Sequence, residues 1–324
     1  MQYIPLSEAR LEALCLLWNE VIGSSFPMTE RLMRQNSLHD PQLFQAGSWI
    51  AVDERSNEAA GFIVAKAPQH ADAVAPPDEK RGWIQILLVA GEHRGSGIGS
   101  RLLELAETGF RSAGIERVYL GNDLHYRYFP GIPERLNEAA GWFERRGYEK
   151  REASYDLLMS YGRDHRPATP EVAGAEFRLL APGEQAELIG FMRRCFPYWA
   201  WQTEDYFARG GTGREFVVLA RDGAIIGFCR INDPESPILT QNIYWSGLFA
   251  EPLGGAGPLG IDEAYRGFGY GLAIVQAGIH ALLERGVRHI VIDTTPYVDF
   301  YGKLGYEVWQ SYWRYDKLLA RPAT

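Results

Sequence analysis

The chain of 324 residues carries one short glycine signature twice, 172 residues apart. The first copy reads Arg94-Gly95-Ser96-Gly97-Ile98-Gly99, and the second reads Arg266-Gly267-Phe268-Gly269-Tyr270-Gly271. Each follows an apolar run, Leu87-Leu88-Val89 or Leu259-Gly260-Ile261, after the same interval of four residues, and each opens an apolar-periodic stretch of helical length. An internal repeat constrains architecture more than any single motif does, and this one predicts two related domains. A strand, a turn of small residues and a helix start leave the first helical N–H groups without partners. Glycines let that backbone approach an anion, which the helix dipole also favours. The leading arginine adds a planar phosphate donor. Two copies in matched contexts argue against glycines that serve only a tight turn.

Two common phosphate loops do not fit. A dinucleotide fingerprint needs its third glycine one residue later, where Ser100 and Leu272 stand. A mononucleotide P-loop needs Gly-Lys-Ser/Thr, which neither copy has. The pattern Arg-x-x-Gly-x-Gly resembles the pyrophosphate loop of the GNAT family of N-acetyltransferases, in both halves. That family's second motif, Asn-x-x-Ala-x-x-Phe-Tyr-x-x-x-Gly-Phe, is matched in its last part by Trp142-Phe143 with Gly147-Tyr148, and by Phe300-Tyr301 with Gly305-Tyr306. Leu136 and Thr294 hold its asparagine position, and Asn137 stands one residue out of register.

The resemblance implies an α/β fold (an α+β mixed sheet) made of two tandem GNAT-type domains, with acetyl-coenzyme A as cosubstrate. The implied cofactor-binding residues are Leu259, Gly260, Ile261, Arg266, Gly267, Phe268, Gly269, Tyr270 and Gly271 in the second half. In the first they are Val89, Arg94, Gly95, Gly97 and Gly99. The domains are expected at 1–162 and 176–324, joined by a Pro- and Gly-containing linker over 163–175. From loop arginine to second-motif glycine the halves differ, 53 residues against 39, which points to an insertion around 122–135 in the first.

Periodicity gives the same element order twice. The first half reads as a short strand near 3–4, a helix over 8–21, strands over 48–52, 61–66 and 84–89, the loop helix ending at Gly114, and strands over 117–121 and 155–160. The second repeats it with a strand near 177–180, a helix over 183–195, strands over 215–220 and 224–231, a strand ending at Ile261, the loop helix ending at Gly286, and a strand over 289–293.

Composition excludes some partners. A net charge of −8 without any basic run gives no reason to expect nucleic acid. No apolar run is long enough to span a membrane, and the first residues carry no basic and apolar leader. The three cysteines, Cys15, Cys195 and Cys229, are widely spaced with apolar neighbours, so reduced thiols are expected rather than disulfides or a metal site. A cytoplasmic enzyme without metal, monomeric or homodimeric, is the expectation.

In the resembled family, backbone N–H groups where the fourth strand splays from the fifth polarise the thioester carbonyl. A tyrosine in the second motif protonates the departing thiolate. The matching residue is Tyr301 in the second half, whereas Phe143 in the first has no proton to give. Candidate bases are Asp293, at the end of an apolar strand, and Glu251, with Asp233, Glu235 and a water relay as alternatives. His93 and His289 read as surface or strand-edge residues. Aromatics at Tyr198, Trp199, Trp201, Tyr206, Tyr244 and Trp245 suit either an acceptor wall or core packing. Two functions follow. One is an N-acetyltransferase for a small-molecule amine such as an amino sugar or aminoglycoside, or a mycothiol-synthase-like acceptor, with a catalytic second half and a degenerate or supportive first. The other is a non-catalytic acyl-coenzyme A sensor.

Overall fold

The computed structural model describes residues 1–69, 80–123, 125–165 and 170–319. Residues 166–169 of the expected linker, Pro167 among them, and Leu124 of the expected insertion lie outside the described residues. Two compact units emerge. One comprises Met1–Ser154 with the segment from Gln310 onward, and the other comprises Tyr155–Trp309.

The first unit opens with β1 (Gln2–Pro5), α1 (Leu11–Ile22) and the short α2 (Glu30–Met33), followed by β2 (Trp49–Val52), β3 (Ala59–Lys66) and β4 (Arg81–Val89). Next come α3 (Ile98–Ser112), β5 (Arg117–Leu120), the two-residue β6 (Ile132–Pro133) and α4 (Asn137–Glu144). Strands β1 to β4 pair antiparallel in sequence, and β4 runs parallel to β5. Helix α3 buries Ile98, Leu102, Leu103, Ala106 and Phe110 on one face, the 3.6-residue stripe that its sequence prescribes. Full burial of each large apolar side chain contributes about 1.5–3 kcal/mol. Gly114, at φ 75°, then ends the helix in the left-handed conformation that glycine adopts most readily.

The chain leaves this unit within β7 (Glu149–Ser160). The second unit repeats the plan with β8 (Glu176–Leu179), α5 (Gln185–Cys195), α6 (Pro197–Ala208), β9 (Phe216–Arg221), β10 (Ala224–Asn232) and β11 (Leu253–Ile261). It closes with α7 (Tyr270–Glu284), β12 (His289–Thr295) and α8 (Val298–Gly302). The chain then returns to the first unit within β13 (Glu307–Leu318).

The halves therefore exchange their last strands. In the second unit β12 pairs antiparallel with β7, Val291 opposite Leu158. In the first, β5 pairs with β13, Tyr119 opposite Asp316. Arg117 and Arg151 both bind Asp316 and hold its carboxyl below the usual carboxylate range, the Arg151 hydrogen bond contributing most. The compact units thus do not follow a sequential cut of the chain. No local pattern in the sequence records which sheet receives β13.

Candidate active site

In both units the parallel pair of strands parts. Strand β4 keeps register with β5 from Arg81–Arg117 to Ile84–Leu120, and β11 with β12 only from Leu253–His289 to Gly255–Val291. A bulge marks each fork: β4 skips Gln85 against β3, and β11 skips Gly257-Pro258 against β10. Proline has no N–H for a ladder, so within a sheet it is confined to edges and bulges such as this. The strand pairings match Val89 to Ile261, Trp83 to Gly255 and Lys66 to Asn232.

Beyond each fork lies the glycine loop. Gly95, Gly97, Gly267 and Gly269 all have φ between 77° and 92°, and a Cβ on any of them would meet nothing within 4 Å. The glycines are required by backbone conformation, and the space before them is open. Gly97 and Gly269 cap α3 and α7. Both loop arginines bond back to the strand end, Arg94 Nε to the Val89 carbonyl at 3.4 Å and Arg266 Nε to the Ile261 carbonyl at 3.2 Å. This bond holds the loop against the strand and keeps each cation beside an anion-seeking helix start. Phe268 is 69% exposed and stacks on Tyr270, whose own ring is buried in the core. Leu259 packs on that core, and Gly260 lies under the Phe196 ring, which takes the space a Cβ would need.

In the first unit the fork opens into a cleft of about 620 Å³, running from Ile84–Val89 past the glycine loop to α4. His93, Arg94, Arg135 and Arg146 line it. That lining suits an elongated ligand with an anionic end, so His93, Arg135 and Arg146, which the sequence alone did not assign, join Arg94 around the site.

The fork's far end in that unit is filled. Lys66, fully buried on β3, is 2.7 Å from both Asp40 and Asp123 and donates to the Tyr126 carbonyl at 3.0 Å. Burial opposes its charge, but Asp123 and Asp40 outweigh burial and hold the ammonium above its ordinary pKa. Gln85, at the bulge, donates to the Asn36 and Tyr126 carbonyls and accepts from Ser37. The expected insertion supplies this seal: Tyr126, Tyr128 and Phe129 are buried, Trp18 packs on the last two, and β6 pairs with β13. The insertion also folds over the end of β5. Asn122 N–H donates to the Phe129 carbonyl at 2.7 Å, and a Cβ on Gly121 would come within 2.7 Å of that oxygen.

The second unit has no such insertion, and its counterpart of Gly121 is Asp293. A bulge at the end of β12 carries Asp293 and Thr294, the latter at φ 48°. Buried Asp156, on the exchanged strand β7, accepts from Thr294 N–H at 2.8 Å and fixes that turn, while Thr294 Oγ1 donates to Gln241. Tyr301 on α8 is buried at 8% exposure. Burial first, then Cys229, Asp293 and Tyr297, push its phenol pKa up, so it is protonated throughout the neutral range.

Asp293, in the bulge that ends β12, is thus within electrostatic reach of the buried Tyr301 near the splayed end. Glu251 stands just before β11, at the opposite end of the strand, with its carboxylate on Arg163 at 2.9 Å. Asp233 is clamped by Arg214 and Arg285. His289 shares a hydrogen bond with Ser160 at the strand edge. Of the aromatics, Tyr206 is core: fully buried, it donates to Glu215 and accepts from Gly213 N–H. Trp199 packs with Phe196 and Phe228 over Gly260. Phe196 was missed, and the glycine beneath it was its one sequence signal.

Among the described residues no group of three or more His, Cys, Asp or Glu is placed to hold a metal ion, and no helix is long and apolar enough to cross a membrane. The Acetyltransferase (GNAT) family matches residues 12–128 and 185–306. Mycothiol acetyltransferase of Acidothermus cellulolyticus is 27% identical over 276 residues, covering 80% of this chain and 76% of that protein. The enzyme of the same name from Nocardia farcinica is 27% identical over 264 residues, covering 78% and 77%. Among solved structures, the GCN5-related glucosamine N-acetyltransferase region of a fungal multi-domain GH3 β-N-acetylglucosaminidase superposes at a TM-score of 0.84 and 23% identity. It covers 97% of this chain, which spans 38% of that one. A tandem GNAT protein from the clavulanic acid biosynthesis pathway superposes at 0.69 and 15% identity, covering 100% and 99%. At these identities the superpositions speak for the fold.

Proposed function

The chain belongs to the GNAT family of acetyltransferases, as a tandem two-domain member, and we propose that it acetylates the primary amine of a small molecule, with the chemistry in its second half. The observation that carries this reading is a buried, protonated Tyr301 within electrostatic reach of Asp293, where β11 and β12 part. Acetyl-coenzyme A supplies the activated acetyl group. Backbone N–H groups at Gly267 to Gly271, with Arg266, suit its pyrophosphate, and Leu259, Gly260 and Ile261, on the strand that has parted from β12, suit the acyl carbonyl and pantetheine arm. Hydrogen bonds aimed at an oxygen that gains negative charge stabilise the transition state. Asp293 takes the amine proton, directly or through water, and Tyr301 offers its phenolic proton to the departing sulfur. Val89, Arg94, Gly95, Gly97 and Gly99 hold the same cosubstrate in the first half without turnover.

The acceptor is an amino sugar or a related hydroxyl-bearing amine; the relatives named mycothiol acetyltransferase favour an acceptor of the kind used in their reaction. Glu251, bound to Arg163 at the far end of β11, is left out of the mechanism. Thiol release from acetyl-coenzyme A across amino sugars, aminoglycosides, cysteinyl amino sugars and peptides tests the reading. Rapid release with one sugar-bearing amine is expected. Coenzyme A binding without release for any amine would make the protein a sensor instead.

A further inference from the structure

The surroundings of the two glycine loops differ in charge. Arg146 follows α4, lines the first cleft and lies with its guanidinium 3.6 Å above the Trp142 ring. One terminal nitrogen donates to the Trp142 carbonyl at 2.9 Å and the other to Ser100 Oγ at 2.8 Å. Ser100 is the third residue of α3, which places the guanidinium beside the helix's first turn, next to the Gly95–Gly99 backbone. Trp142 flanks the same loop, since a Cβ on Gly99 would lie 3.5 Å from its ring. All these partners are neutral, and among the described residues no carboxylate pairs with Arg146. Burial and the neighbouring Arg145 both disfavour its charge. In the second half the matching positions hold Leu304, Leu272 and Phe300. A half-buried cation with neutral partners, at a helix start that itself favours anions, is a site one negative charge short.

We propose that Arg146 is a phosphate ligand of the first cleft, binding the pyrophosphate of coenzyme A together with the Gly95–Gly99 loop, a contact the second half lacks. This rests on the reading of that cleft as a coenzyme A site. The first half then grips the cosubstrate more tightly and with stronger salt dependence, because its extra contact is ionic and partly screened in salt.

The test is calorimetry on the full chain with coenzyme A and with pantetheine, which has the arm but no pyrophosphate. Gly269→Val, which forces a branched residue into left-handed backbone, silences the second loop and leaves the first. In that protein Arg146→Leu should weaken coenzyme A binding about tenfold to hundredfold, the range for a hydrogen bond to a charged group. Pantetheine affinity should be unchanged, and Arg146→Lys should restore part of the loss. If Gly269→Val does not fold, Arg146→Leu in the wild-type chain should remove the tighter of two binding events. Unchanged coenzyme A affinity, or an equal loss for pantetheine, overturns the proposal alone. No coenzyme A binding to folded Gly269→Val protein overturns the reading of the first cleft and the proposal with it.

Discussion

The two forks share a backbone and differ in what stands at their ends. Where the first has Lys66, Trp83, Gln85, Gly121 and Phe143, the second has Asn232, Gly255, Gly257, Asp293 and Tyr301. The loop glycines and arginines are kept in both, with nearly the same φ and the same bond from arginine to strand end. Apart from Arg146 and its neighbours, the differences gather around the bulge and the ends of β5 and β12. There the first unit has filled its fork with an insertion held by a buried lysine and two aspartates, while the second has put a carboxylate and a phenol. The glycine loop depends on local backbone conformation, so it keeps nearly the same φ values in a unit whose fork is sealed at its far end.

The comparison can be broken most directly at Lys66. Lys66→Met leaves Asp40 and Asp123 buried together without a counter-charge and should cost about 3–5 kcal/mol of stability, read from denaturant midpoints. A cost under 1 kcal/mol would show that the seal is not held by this ion pair. Next comes Tyr301→Phe, which keeps the ring and removes the hydroxyl. Turnover should fall about 100-fold or more with the KM for acetyl-coenzyme A little changed, the pattern of a lost transition-state contact. Wild-type turnover, where chemistry limits the rate, would remove the main functional difference between the halves.

A smaller effect concerns Asp233, whose position in the first half holds Ala67. Burial opposes its charge, but Arg214 and Arg285 prevail and hold its carboxyl below the usual range. A depressed carboxylate stabilises the fold above its unfolded pKa, near 3.9, and that contribution is lost as pH falls through the lower folded value. Asp233→Asn should therefore cost about 2 kcal/mol at pH 7, with the gap to wild type closing below about pH 4. A gap that persists in acid would assign the loss to packing. The smallest expected effect is none: Phe143→Tyr in the Tyr301→Phe background should restore no turnover, because Gly121 stands where Asp293 does, the nearby Asp40 and Asp123 are tied to Lys66, and the insertion fills the far end of the fork. Recovery of even a tenth of wild-type turnover would show that the first half lacks only a proton donor.

Much of this was legible in sequence. The two loops, the helix stripes of α3 and α7, the extra segment near 122–135 and the Phe143–Tyr301 difference are all local patterns, and their elements formed within a few residues of expectation. Helix α6 escaped notice because its aromatics, Tyr198, Trp199 and Trp201, mask any single apolar face. Glu251 was a plausible base by proximity in sequence to β11. The strand instead leaves it on the side away from the fork, because β11 still pairs with β12 at Leu253 to Gly255, between Glu251 and the point where the strands part.

The sequence by itself determined two GNAT-type domains, their anion-seeking loops and the single phenol in register. These follow from periods of two and 3.6 residues and from glycine's access to positive φ, which short segments encode alone. Only the tertiary structure decided that the last strands are exchanged, that the insertion closes over Gly121, that Asp156 fixes the turn beside Asp293 and that Arg146 reaches Ser100. Each of these depends on residues distant in the chain coming within hydrogen-bond or van der Waals range. That proximity is set by how strands pair and part, and no local pattern records it.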